Sequence, residues 1–360
     1  MKSGALNNTS STLPQKNKAE YKPKGVAFAP TYDCPARCDH CNIPFDTIPP
    51  GLRLPIDTAL RILDEAKEVG IHSFQIAGGE PTLYEDFMVE VIAHGKKLSM
   101  KAHRPPTNCY IAKDTSRMRR FFSRLADIGF AAGFRISCDR FHKAIAPELI
   151  ADFIINSSDF FKLDRFSIGC CDINEARSIE RLGEVVSHMN ENGFRATLHS
   201  NKLETEHGTI KIGFWAPTRP TWKNVPDDEF IFRSVDPCLS AVKSFEKTAP
   251  ISRFGCLGPE GVGYLWIEPD GSVRACCGNA NIFIDELKIG NAAHENIKDI
   301  LKKAMMNEML SALASGGPIE LAEMSGFDLD AGCKYTHRCE LCFDVFRKAE
   351  KNIKPDEKKL

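Results

Sequence analysis

Nothing in these 360 residues is long and apolar enough to span a bilayer. The densest apolar stretches are broken by charge or glycine well short of the roughly 18 uninterrupted residues that a membrane span needs. A secretory signal is missing too, because the first twenty residues are polar, with Asn7, Asn8, Thr9, Ser10, Ser11 and Thr12 in succession. Charge of one sign is equally scarce. Lys and Arg number 47 against 48 Asp and Glu, a formal net of −1, so no global field draws the chain to nucleic acid or an anionic membrane. No internal repeat appears. These absences leave a cytoplasmic globular protein as the expectation, with a core paid for by 42% hydrophobic residues.

Cysteine is what the chain has in excess, with 14 of them. In a reducing cytosol thiols stay free, so clustered cysteines read as metal ligands or catalysts rather than as bridges. The Asn-x-Ser/Thr matches at Asn8 and Asn156 carry no information there.

From residue 24 to about 205, short apolar runs alternate with longer segments of helical period, the pattern of parallel strands joined by crossover helices. Strands are expected at residues 25–30, 73–77, 98–103, 132–137, 166–171 and 195–200. Pro55 opens a helix that places Ile56, Leu60 and Leu63 on one face and stops at Gly70. Further helices are expected at 85–97, 115–128, 147–157 and 175–192. Six such units make an α/β fold, an open or partial barrel. Residues 1–23 read as a flexible N-terminus. Residues 206–250 read as a linker or lid, with 218–236 rich in Pro, Trp and charge. Residues 263–267 and 272–276, joined by Glu268-Pro269-Asp270-Gly271, predict a hairpin, since Asp-Gly suits a tight turn. A helix at 297–314, a break at Gly316-Gly317-Pro318 and a short cysteine-rich segment complete a small α+β region over 251–346, before a charged tail at 347–360.

Cys34-Pro35-Ala36-Arg37-Cys38-Asp39-His40-Cys41 puts three thiols on one loop directly after the first expected strand. A closed tetrahedral site or fully ligated cluster wants four protein ligands, so one coordination position stays open for substrate or cofactor. His40 as a fourth zinc ligand is the alternative.

This Cys-x3-Cys-x2-Cys loop resembles the signature of the radical S-adenosylmethionine (SAM) enzymes. The resemblance implies a partial (β/α)6 TIM-like barrel and a [4Fe–4S] cluster held by Cys34, Cys38 and Cys41, whose open iron chelates SAM. It implies cleavage of SAM to a 5′-deoxyadenosyl radical. His40 stands where the family usually has an aromatic beside the adenine. Gly78-Gly79-Glu80-Pro81, at the end of the second expected strand, resembles the family segment that binds the methionyl ammonium; glycines admit close backbone approach and a carboxylate suits an ammonium. Thr107-Asn108 resembles a Thr-Asn-Gly segment with Cys109 in place of the glycine. Ser137-Cys138-Asp139 resembles a Ser-x-Asp that bonds the ribose hydroxyls. Each group falls just past the carboxyl end of an expected strand, where βα barrels bind ligands. The plainer readings are that Asn108 caps a turn and Asp139 a helix.

Cys256, Gly271, Cys276 and the later Cys339-Glu340-Leu341-Cys342 resemble the start of the SPASM and twitch domains, which implies one auxiliary [4Fe–4S] cluster on Cys256, Cys276, Cys339 and Cys342. Cys277 or Cys333 could replace one of the four, and a zinc site on the same thiolates stays open. Cys109, Cys138, Cys170, Cys171 and Cys238 read as small buried hydrophobes. Cys170 and Cys171 are adjacent on the fifth strand, so one thiol points inward, where it could donate a hydrogen atom to a substrate radical. Arg135, Arg140 and His142, with His199, are candidates to meet an anionic substrate. The resemblance implies a peptide or small-molecule substrate, and an electron donor such as flavodoxin or ferredoxin. The first expectation is modification of a ribosomally made peptide by crosslinking, thioether formation or epimerisation. The alternatives are a radical dehydrogenase or epimerase of a sugar or aminocyclitol, and a non-catalytic metal-binding protein.

Overall fold

The computed structural model describes residues 21–43, 45, 49–171, 175–215, 257–258, 261–278, 281–327 and 338–353. A run of parallel strands forms its centre: β1 (Gly25–Phe28), β2 (Ser73–Ile76), β3 (Lys101–Ala102), β4 (Pro106–Thr107), β5 (Arg135–Ser137) and β6 (Ser167–Cys171). Between them run α1 (Ile56–Glu68), α2 (Glu85–Lys97), α3 (Thr115–Asp127) and α4 (Pro147–Ser157), with α5 (Glu175–Glu191) after β6. Pro55 stands at the N-cap of α1, and Gly70 follows the helix with φ 86, a conformation glycine adopts without cost.

The third strand changes partner halfway. His103 donates its N–H to Phe74 on the β2 side, whereas the carbonyl of Pro105 accepts from Arg135 of β5. Pro105 and Pro106 have no N–H, so the ladder to β2 cannot continue past them. The strand expected at 98–103 is thus β3 alone, β4 follows beyond the prolines, and the sheet divides between them into two six-stranded halves.

The sixth parallel strand is not the expected one. Residues 196–199 do form a strand, β7 (Ala196–His199), but it lies at the sheet edge, antiparallel to β8 (Lys202–Thr205). The strand parallel to β6 is β9 (Gly208–Trp215), which buries Ile210 and Ile212. A hairpin, β7 to β8, is therefore inserted before the barrel continues. His199 bonds Glu204 within it, far from the carboxyl ends of the parallel strands, which corrects its candidacy for substrate.

Phenylalanines fasten α3 and α4 beneath β5. Phe134 meets Phe153 edge-on at 5.4 Å and Phe130 at 5.6 Å, and Phe122 meets Phe153 at 5.2 Å. Such pairs contribute about 0.5–1.5 kcal/mol each beyond area burial.

The C-terminal region includes the short pair β10 (Leu257–Gly258) and β11 (Gly261–Val262), then the expected hairpin as β12 (Tyr264–Ile267) and β13 (Ser272–Arg274), with β14 (Lys288–Asn291) beyond. β12 pairs in parallel with β1, so the hairpin extends the barrel sheet. Buried links lock this seam: Tyr32 donates to Glu268 at 3.0 Å, Trp266 to Tyr32 at 3.0 Å, and Arg274 pairs with Glu268 at 3.0 Å. The helix expected at 297–314 is two, α6 (Ile297–Met305) and α7 (Glu308–Met324), because Asn307 accepts from Met309 and Leu310 and caps a new helix. The expected break at Gly316-Gly317-Pro318 is present: Gly317, at φ 69 and ψ −157, leaves the helical conformation, and two helical stretches of α7 meet there. Glu65 of α1 accepts from the Ile297 N–H at 2.9 Å, holding the start of α6. α8 (Arg338–Ile353) carries Cys339 and Cys342. The expected linker or lid at 206–250 falls mostly, and Cys238, Cys256 and Cys333 entirely, outside the described residues. No helix among the described residues is long and apolar enough to cross a membrane.

Candidate active site

The loop that follows β1 is held by backbone before it is held by anything else. Gly79 donates to the Thr31 carbonyl at 2.9 Å and Glu80 to the Asp33 carbonyl at 2.9 Å, so the segment after β2 lies against the chain just before Cys34. Both glycines are required by that approach. A Cβ at Gly78 would sit 2.5 Å from the Thr31 oxygen, and one at Gly79 would sit 2.2 Å from the Asp33 oxygen. Their first use is thus to admit the protein's own backbone, and through it to seat the cysteine loop.

Glu80 is 1% exposed and spends its carboxylate on the fold. Oε1 accepts from the Thr82 N–H (3.2 Å), the Thr82 hydroxyl (2.7 Å) and the Thr107 hydroxyl (2.9 Å), while Oε2 accepts from the Asn108 N–H (2.7 Å). Burial pushes its carboxyl up, and these hydrogen bonds oppose the shift. The clamp draws Thr107 and Asn108 to the cysteine loop, where the Asn108 amide lies 3.4 Å from the Cys34 sulfur. Pro81 starts a short 3-10 turn behind the loop and is buried there, away from the cavity wall. Cys109 has φ 66, a left-handed conformation in which glycine would sit without strain.

Cys34, Cys38 and Cys41 line one cavity of about 280 Å³, together with Gly78, Gly79, Glu80, Asn108, Ser137 and Asp139. Sequence reasoning passed over Ala36, Asn42 and Pro106 as neighbours of that space, whereas Thr107 and His142, both singled out from the sequence, do line it. Asp139 holds the far wall. Its Oδ1 accepts from the Phe141 N–H at 3.0 Å and lies 2.8 Å from His142 Nδ1, while Oδ2 accepts from the Cys171 N–H at 3.1 Å. Burial acts to raise the Asp139 carboxyl, but His142, His40 and the Cys171 N–H outweigh it and hold it below its ordinary value.

His40 packs against Phe141 at 5.0 Å and His142 at 5.3 Å between ring centroids. Burial lowers its pKa to about 4, so the ring is neutral at pH 7, and its buried Nδ1 has no hydrogen-bond partner among the described residues. A neutral flat ring with an unmet polar atom suits a heteroaromatic ligand. Cys171 reaches the cavity, whereas Cys170 and Cys138 belong to the core. Arg140 lies over the Phe141 ring at 4.5 Å, and Arg135 begins β5, at the opposite end of that strand from Ser137.

The donor set fits an iron–sulfur cluster. Burial pushes the Cys41 thiol to about 11, with the Cys34 charge adding to it, and raises Cys38 through burial and then Asp139, Cys41 and Cys34. Three crowded thiols resist ionising together, and a polynuclear cation reverses that balance. At the C-terminal constellation, a Cβ at Gly278 would lie 2.9 Å from the Cys339 sulfur and 3.6 Å from the Cys276 sulfur. The cage closes on that glycine. Cys342 is buried, and burial and Cys339 raise its thiol. Cys277 stays close, since Tyr21 is raised by burial and then by both Cys276 and Cys277.

Residues 28–153 match the family model for the radical SAM superfamily. That stretch of the chain is a radical SAM domain. Residues 256–342 match an iron-sulfur cluster-binding domain, SPASM. Among curated relatives, this chain is 35% identical over 78 residues to a PqqA peptide cyclase of Granulibacter bethesdensis, covering 22% of this chain and 21% of that protein. It is 29% identical over 107 residues to a PqqA peptide cyclase of Bradyrhizobium diazoefficiens, covering 30% and 26%. The matched stretches thus span about a fifth to a quarter of those relatives' length. Among solved structures, native anSMEcpe with bound AdoMet superposes with a TM-score of 0.49 at 14% identity, covering 92% of this chain and 98% of that one.

Proposed function

We propose that this radical SAM protein cleaves SAM reductively and abstracts a hydrogen atom from a carbon of a ribosomally made peptide, leaving a crosslink, a thioether or an epimerised residue. The observation that carries the reading is the single cavity in which three thiols on one loop meet Gly78, Gly79, Asn108, Ser137 and Asp139. Likeness to PqqA peptide cyclases over 78 to 107 residues supports a peptide as substrate.

When bound, the cluster and SAM supply the electron and the 5′-deoxyadenosyl radical. Cys34, Cys38 and Cys41 would hold the cluster, with one of its positions left to SAM. Gly78, Gly79 and Glu80 face the methionyl end, with Pro81 shaping the turn behind them. His40 would present its neutral ring to the adenine, with its buried Nδ1 available to the base. Ser137, Asp139 and Asn108 set the ribose and exclude water from the wall near Cys171. Cys276, Cys339 and Cys342, with Cys256, hold an auxiliary cluster. A cytoplasmic flavodoxin or ferredoxin is the electron source. In this reading the catalytic barrel runs from residue 24 through β9 to residue 215, past the expected boundary at 205, and 251–346 form the auxiliary domain.

The test is anaerobic. Reconstituted, reduced protein given SAM yields 5′-deoxyadenosine by mass spectrometry, and the Cys34→Ala/Cys38→Ala/Cys41→Ala variant yields none while keeping about four irons and visible absorption. Absence of 5′-deoxyadenosine from the wild-type protein sinks the enzymatic reading. Loss of all iron from the triple variant sinks the auxiliary cluster.

A further inference from the structure

Strands send alternate residues to opposite faces. On β5, Ile136 is buried in the core, so Arg135 and Ser137 share the other face; on β6, Ile168 and Cys170 are in the core, so Ser167, Gly169 and Cys171 share the other. On β9, burial of Ile210 and Ile212 leaves Lys211 and Gly213 facing the same way. Ser137 and Cys171 line the cysteine cavity, so this face is the barrel interior.

Register sorts the interior into levels. Arg135 pairs with Ser167 and Ser167 with Lys211; Ser137 pairs with Gly169 and Gly169 with Gly213. The second level lies about 7 Å nearer the cysteine cavity, two residues along each strand. It is built from one serine and two glycines, and a Cβ at Gly213 would meet nothing within 4 Å. On these three strands the level between the cysteine cavity and Arg135 therefore carries no side chain larger than serine.

At that lower level a second cavity, of about 410 Å³, is lined by Lys101, Arg104, Arg135 and Arg165, and no carboxylate among the described residues lines it. The like charges are felt. Burial and then Arg104 lower Arg135, and burial, Lys101 and Arg104 lower His103.

We propose that this basic level seats a carboxylate of the substrate, from an acidic side chain of the peptide, while the carbon to be attacked lies at the level of Ser137 and Cys171. Guanidinium groups pair with carboxylates through two parallel hydrogen bonds, which fixes direction as well as position. The site thus measures the spacing between an acidic residue and the reacting carbon. This rests on the peptide-modifying reading above.

Calorimetric titration of the reconstituted holoprotein uses tetraglutamate, tetraglutamine and inorganic phosphate as probes, at low and moderate salt. Wild type is expected to bind tetraglutamate saturably and tetraglutamine not at all. Arg135→Gln and Arg165→Gln each weaken tetraglutamate binding by about tenfold, the loss of one charge-assisted hydrogen bond. Arg135→Lys restores part of it, and Arg120→Gln, an exposed cation on α3, leaves it unchanged. If Arg135→Gln does not fold, Lys101→Gln, an exposed position, serves as the replacement. No saturable tetraglutamate binding, equal binding by the variants, or binding of phosphate alone each overturns the proposal. Wild-type 5′-deoxyadenosine formation is scored separately, so failure of the radical reading and failure of the carboxylate seat are told apart.

Discussion

Exchanging Glu80 for glutamine alters one atom of a side chain that ties its own turn to residues 107–108. A glutamine oxygen placed at Oε1 keeps the donors from the Thr82 N–H, the Thr82 hydroxyl and the Thr107 hydroxyl. The amide nitrogen then faces the Asn108 N–H across the 2.7 Å now bridged by Oε2, donor against donor. Losing one charge-assisted hydrogen bond and stranding a buried donor costs about 2–4 kcal/mol. Relief of a carboxylate whose pKa burial already pushes up returns part of that, leaving a net loss of about 1–3 kcal/mol. Urea unfolding of the cluster-free protein, kept anaerobic and reduced and followed by far-UV circular dichroism, reads this as a lower midpoint at unchanged slope. A Glu80→Gln midpoint within about 0.5 kcal/mol of wild type refutes the clamp.

Gly278→Ala places a Cβ against the Cys339 and Cys276 sulfurs, so iron retained at the C-terminal site is expected to fall; assay in the Cys34→Ala/Cys38→Ala/Cys41→Ala background isolates that site. Gly79→Ala pushes a Cβ into the Asp33 carbonyl, and backbone cannot step aside as a side chain does; a loss of about 1–3 kcal/mol in thermal unfolding is expected. His103 has its folded pKa lowered by burial, Lys101 and Arg104, so its stabilising share is present above the unfolded value of about 6.5 and is lost as pH falls below it. Stability measured between pH 7 and 5 should therefore fall less steeply in His103→Gln, and identical slopes would remove that assignment.

The five helices of the barrel are legible because period and punctuation are local: Pro55 and Gly70 bracket α1, and α2 and α4 fall where period places them. The sixth strand is not, since β7 and β9 carry equally good alternation and the choice between them is made by pairing with β6. Pairing is a long-range property that a window of residues does not hold. The cysteine loop is legible for the same reason as the helices, as its spacing is complete within eight residues. The Glu80 clamp is hidden, because a carboxylate after two glycines reads as a ligand group until its four donors are seen. Arg135 was read as an active-site cation, and the strand start at that residue moves it one level down the barrel.

The seam between β1 and β12 has a consequence for synthesis. Tyr32 and Glu268 are 236 residues apart in sequence. At the roughly 5–20 residues per second of translation, the first strand waits about 12–50 seconds for its neighbour to leave the ribosome. During that interval one edge of a fully buried strand is open, the kind of surface that pairs with other chains. The cysteine loop hangs from the same strand. The order of synthesis thus sets how long the edge of β1 stays open.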